Sequence, residues 1–204
     1  MRKYLLILSV SLLVYSCHHK TGRNFAKEDS VAAVRNMMKD VPASDLIVPG
    51  KSIGKMMIGE NSAKVFDLLG KPDMGDVAMG KALATWYQGH DTAGSQVQVF
   101  FCRQMGTADD TSRVKQIRVT SPAFETADQI HVNTLFKDIS AKFKLDSIAL
   151  YQQGGKAFSV YAATSEGIAF EVGDDRRCAG IIVFKAGLPL SYFPFHGNMK
   201  LTGK

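Results

Sequence analysis

Four fragments in the first half of the chain decide the fold: IGENSAKVFDLLGKPD at 58–73, WYQ at 86–88, VQVFF at 97–101 and VKQIRV at 114–119. In the first, Ile58-Gly59 opens a short helix over 62–69, and Gly70 and Pro72 close it. Val65, Leu68 and Leu69 form its apolar stripe. The other fragments alternate apolar and polar residues, the period of a strand with one buried face. They predict strands over 83–88, 96–102 and 114–120.

Working outward, the second half repeats this order. Val132-Asn133 leads to a helix near 134–143, with Leu135, Ile139 and Phe143 in phase, then strands near 158–161, 168–172 and 180–184. A shift of 74 places Ile58 on Val132, Val65 on Ile139 and Tyr87 on Tyr161. A shift of 71 places Val97, Val99 and Phe101 on Ile168, Phe170 and Val172, and one of 64 places Ile117 and Val119 on Ile181 and Val183. Matching order and spacing predict a duplicated unit. The fold expected is α+β, with two tandem copies of a helix plus a three-stranded antiparallel sheet. The sheets would lie side by side with the helices on one face.

On these fragments the first half resembles outer-membrane assembly lipoproteins of the SmpA/OmlA type. The tandem pair resembles the β-lactamase inhibitory protein fold. The resemblance implies that Gly59 starts the helix, Gly70-Lys71-Pro72 turns after it and Trp86-Tyr87 lies on the first strand. It also implies a concave sheet surface that grips another protein. The second half departs from the pattern, with Asn133 in place of the glycine and no Gly-x-Pro after its helix.

Strand parity assigns the faces. Val65, Leu69, Val99, Phe101, Ile117, Ile139, Phe143, Phe170 and Ile181 point inward, and so do Trp86 and Val160. Tyr87, Gln98, Phe100, Arg118, Tyr161, Glu171, Ile182 and Phe184 point outward and form the candidate partner surface. Their mix of Tyr, Phe and Arg suits an interface core. The aromatic tail LPLSYFPF at 188–195 offers the competing reading, in which it folds back over them.

The N-terminus reads as a leader. Arg2 and Lys3 precede YLLILSVSLLVY at 4–15, an apolar run of 12 residues. As a helix it would span about 18 Å, too short for a hydrocarbon core that needs about 20 residues. Val14-Tyr15-Ser16-Cys17 resembles a bacterial lipobox, with a bulky tyrosine at its tolerant position. Cys17 is the expected lipidation site, carrying a diacylglycerol and an N-acyl chain such as palmitate; two or more chains anchor stably. The organisation expected is a signal peptide over 1–16, a lipidated tether with a short helix over 17–49, repeats over 50–122 and 123–186, and a tail over 187–204. His18 after the cysteine, with no acidic cluster, suggests an outer membrane facing the periplasm. Cys102 and Cys178 could form one disulfide, which spacing alone does not decide.

Catalytic patterns are weak. Gly50-Lys51-Ser52 lacks the earlier glycine of a phosphate loop, since Asp45 stands there. Ser52-x-x-Lys55 and Ser112-x-x-Lys115 have no accompanying SDN element. His18, His19, His90, His131 and His196 show no metal-ligand spacing. Asp109-Asp110 and Asp174-Asp175 read as turn residues, and Lys137, Lys142, Lys144 and Lys156 as a solvated basic region. A net charge of +6 is too diffuse for nucleic acid. The expected function is that of a non-enzymatic envelope lipoprotein binding an envelope protein through an open sheet face, with no cofactor, nucleotide or nucleic acid. The alternative is a binder of peptidoglycan or lipid A, and a hydrolase stands behind both.

Overall fold

In a computed structural model, residues 44–106, 110–190 and 194–202 are described. The leader, Cys17 and the short tether helix lie outside them. The described residues all belong to one compact unit.

The chain enters through three short strands, β1 (Leu46–Val48), β2 (Ser52–Ile53) and β3 (Met56–Met57). Ile47, Ile53 and Met56 are buried there. Helix α1 (Ser62–Leu69) follows, capped by the Asn61 side chain, which accepts from the Ala63 N–H at 2.9 Å. Such a cap satisfies one of the donors that a helix start leaves open. Gly70 ends the helix at φ 74°, and its carbonyl accepts from the Trp86 indole at 3.1 Å. Four strands follow: β4 (Met74–Ala78), β5 (Lys81–Tyr87), β6 (Gln96–Arg103) and β7 (Ser112–Val119). Strand β8 (Glu125–Thr126) pairs parallel to β1, completing a four-stranded sheet in the order β3-β2-β1-β8.

The second half brings helix α2 (Phe136–Ser140) and then β9 (Asp146–Gln153), β10 (Lys156–Ala163), β11 (Ile168–Gly173) and β12 (Cys178–Phe184). A last strand, β13 (Lys200–Leu201), pairs with β9. Strands β7 and β12 pair antiparallel through Ile181↔Val119 and Val183↔Ile117. That seam joins both halves into one nine-stranded sheet, β13-β9-β10-β11-β12-β7-β6-β5-β4.

The expected α+β class is therefore corrected. Over the described residues the chain is mostly β, with sheets of four and nine strands. The two helices among the described residues hold 8 and 5 residues, too few to form a layer. Neither half is a helix plus three strands. Strands β4 and β9 extend each run, and the seam removes the boundary between two side-by-side sheets.

Both helices rest on one face of the large sheet. Val65 of α1 and Ile139 of α2 share a cluster with Val99, Phe101, Ile117, Phe143, Phe170 and Ile181, all buried; Leu69 is partly buried against it. Full burial of each such side chain contributes about 1.5–3 kcal/mol. Phe143 packs on Phe170 with centroids 5.1 Å apart. A close backbone approach ties the small sheet to the large one. Gly50, at φ 71°, donates to the Gly167 carbonyl at 3.2 Å. A Cβ at Gly50 would lie 2.7 Å from the Glu166 carbonyl oxygen, so a larger residue would push the two apart.

Candidate functional site

On the face away from the helices, Gln116 and Arg118 of β7 alternate with inward Ile117 and Val119. Arg118 is 3% exposed and Glu171, on β11, is 0% exposed. The Arg118 guanidinium donates to both carboxylate oxygens of Glu171, with Nη2 at 2.7 Å from Oε2. Its Nη1 donates to Gln98 at 2.9 Å, and Gln98 donates to Thr85 at 3.2 Å. The pair crosses β12 at Gly180, the register partner of Glu171. A side chain there would overlap the Glu171 carboxylate, so glycine leaves room for the bridge.

A strap from the C-terminal tail closes over this cluster. His196 Nε2 lies 2.9 Å from Glu171 Oε1, and its ring stacks on Tyr151 at 3.8 Å. Phe195 is buried with Phe100, Ala149, Tyr151, Ile182 and Phe184, and Leu190 and Met199 pack against the same group. Burial alone would push the Glu171 carboxyl up; the Arg118 charge and the His196 and Arg118 hydrogen bonds outweigh it and hold it down at about 2. Burial opposes the Arg118 charge, yet Glu171 keeps its pKa above the ordinary arginine value. The Tyr151 hydroxyl is pushed up by burial and by Glu171. Glu171 thus joins strap to sheet through His196, while Arg118 balances its charge.

Sequence parity brought most of the candidate surface to this face. It did not leave that face open. Gln98, Phe100, Arg118, Glu171, Ile182 and Phe184 are all buried, because the strap covers them or they pair with one another. Tyr161 stands on the helix side, with its ring 4.3 Å from Phe136, while Val160 takes the strap side. Tyr161 pairs with inward Phe170 across β10 and β11, whereas Tyr87 pairs with Gln96 across β5 and β6, so the shift of 74 aligned residues that occupy different places along their strands. Tyr87 remains half-buried at the end of β5, where its hydroxyl meets the Met74 sulfur at 3.3 Å. The open sheet face is thus corrected to a covered one. Cys17 lies outside the described residues. Cys102 and Cys178 are free thiols, packed in clusters on opposite sides of the sheet.

Two accessible features escaped the sequence reading. The first is the outer edge, β4. All five of its residues are exposed, and Met74, Val77 and Met79 show 57%, 78% and 91% of their surface, with Met105 nearby at 62%. Met79 holds φ 49° before Gly80 in the hairpin turn, a left-handed position that asparagine or glycine usually takes. The second is a groove of about 450 Å³ between β7, the end of β12 and the strap. Methionine-rich MGDVAMGK carries no periodicity, and its one local signal was the turn glycine.

Among the described residues, no three His, Cys, Asp or Glu side chains stand together as a metal site. None of the described helices is long and apolar enough to cross a membrane. Ser52 lies on β2 and Ser112 on β7. His90 sits in a turn with Nδ1 2.6 Å from Asp73, whose carboxyl is held below its usual range by the Tyr87 N–H and by His90.

No family model matches the chain, and no curated protein matches it. Among solved structures it is similar to an extracellular protein containing an SCP domain from Bacillus anthracis. Identity is 15% and the TM-score 0.45, covering 72% of this chain and 49% of that one. It is also similar to a cysteine-rich secretory protein from Staphylococcus aureus, at 10% identity and a TM-score of 0.40, covering 70% and 49%. The chain thus spans about half the length of these structures. The SmpA/OmlA and β-lactamase inhibitory protein resemblance is corrected on the continuous nine-stranded sheet, in which neither half stands as a separate helix-plus-three-strand unit. With it go the tandem-repeat reading and the outer-membrane assignment.

Proposed function

We propose that this chain is a non-enzymatic cell-envelope protein, held to a membrane by lipid on Cys17, that captures an extended segment of a protein partner along β4. The leader and lipobox pattern support the envelope location. The observation that carries the binding mode is the contrast between the sheet's two edges. At one, β13 is two residues long and bears Lys200, features that blunt an edge. At the other, β4 offers five residues with no lysine, proline or bulge, and three of its apolar neighbours and members stand in water. An added strand would pair with the edge that β4 presents among the described residues, and its side chains would cover Met74 and Val77. Asp76 lies between them and favours a partner with a lysine or arginine opposite.

Photo-crosslinking from position 76 in isolated envelopes tests this. One stoichiometric protein should be captured and then lost with Val77→Lys, whose stability should stay within about 0.5 kcal/mol of the parent. No partner, a partner retained by Val77→Lys, or only a second copy of this chain would each end the reading. Fractionation of Cys17→Ala cells checks the anchor, since the protein should then leave the membrane fraction's lipid-soluble phase.

A further inference from the structure

The groove beside the strap stands independently of partner capture at β4. Its floor is Phe100 and Phe184, both buried, and its wall is Leu188, Pro189 and Leu190. Leu188 is 52% exposed at the mouth, so apolar surface faces water where a ligand could cover it. Lys81, Lys115 and Lys185 also line the groove, and no acidic side chain does so among the described residues. Cys102 lines it too, with Lys81 as its cross-strand partner. An apolar floor with a one-signed rim is the lining that orients an amphiphile, tail inward and head at the mouth.

We infer that this groove binds one long-chain carboxylate, its alkyl chain along Phe100, Phe184, Leu188 and Leu190 and its head group between Lys115 and Lys185. The volume of about 450 Å³ lies toward the small end of the ~300–1,000 Å³ span of ligand sites, which suits one chain and not the two of a diacyl lipid. Charge complementarity selects the anion over an alcohol or amine of equal length.

The test is a fluorescence titration of the full chain carrying Cys17→Ala, so that no covalent acyl group competes, with a fluorescent long-chain fatty acid in detergent-free buffer. Saturable binding of one equivalent is expected. Joint Lys115→Glu and Lys185→Glu should weaken it roughly tenfold or more, as expected for reversing two charges beside an anion, and Leu188→Glu should do likewise at the chain. Thermal unfolding of both variants should match the parent, because all three positions are on the surface. Displacement by palmitate but not by hexadecanol supports the assignment. Four outcomes overturn it: no saturation, affinity unchanged in the lysine variant, equal displacement by hexadecanol, or equal competition by phosphatidylglycerol vesicles, which would mark a lipid head-group surface instead.

Discussion

On the helix side of the large sheet, Phe101, Ile117, Phe170 and Ile181 lie at 0–1% exposure inside an apolar cluster. On the strap side Arg118 and Glu171 are just as deeply buried, but they are charged and depend on each other and on His196. Equal dryness is thus reached by two means. The first is additive and rests on volume removed from water. The second is conditional, since a buried charge is tolerated only while its partner remains. The faces should therefore answer differently to the loss of one group.

The largest effect is expected from Phe170→Asp. It forfeits about 3–5 kcal/mol for the lost ring and adds an unpaired carboxylate. Circular dichroism should find no cooperative melt. A folded variant would show that the helix-side core is not a single unit.

Next comes Glu171→Gln, which strands the Arg118 charge and should cost about 3–5 kcal/mol. The double variant Arg118→Met with Glu171→Leu should recover most of that loss, and additive losses in denaturant titrations would remove the distinction between the faces. The same carboxyl sets an acid window. Its folded pKa is depressed to about 2 from 4.5. Its contribution is therefore complete above about pH 4.5 and fades as pH falls toward about 2. Glu171→Gln should lack that part of the profile.

The smallest effect belongs to Gly180→Ala. The added methyl meets the Glu171 carboxylate, a crowding of the kind that costs about 1–3 kcal/mol. A melting temperature equal to the parent's would mean that the bridge moves aside freely.

Much of this was legible where a buried face imposes a pattern. Val97, Val99 and Phe101 alternate with Gln98, Phe100 and Cys102, and of the helix-side set Val99 and Phe101 are buried and Val97 partly so, as that alternation requires. The reading failed where no local pattern exists. Strand β4 has no buried face, so MGDVA shows neither period. Asp146–Gln153 mixes polar and apolar residues without strict alternation. Closure of the strap side depends on Glu171 meeting His196, a contact that no short window contains. LPLSYFPF offered that cover as the competing reading, but nothing local in it shows the tie from His196 to Glu171 that holds it.

The parallel pairing of β1 with β8 has a consequence for the order of folding. Neighbouring hairpins such as β5 with β6 and β10 with β11 close short loops and can form early. Joining Leu46 to Glu125 must instead wait until the whole first half of the sheet has collapsed between them. The entry strand is thus the late arrival, and until it docks, Ile47 and Ile53 remain wet. A chain of this topology refolds slowly for its size, with its N-terminal segment the last to gain protection against hydrogen exchange.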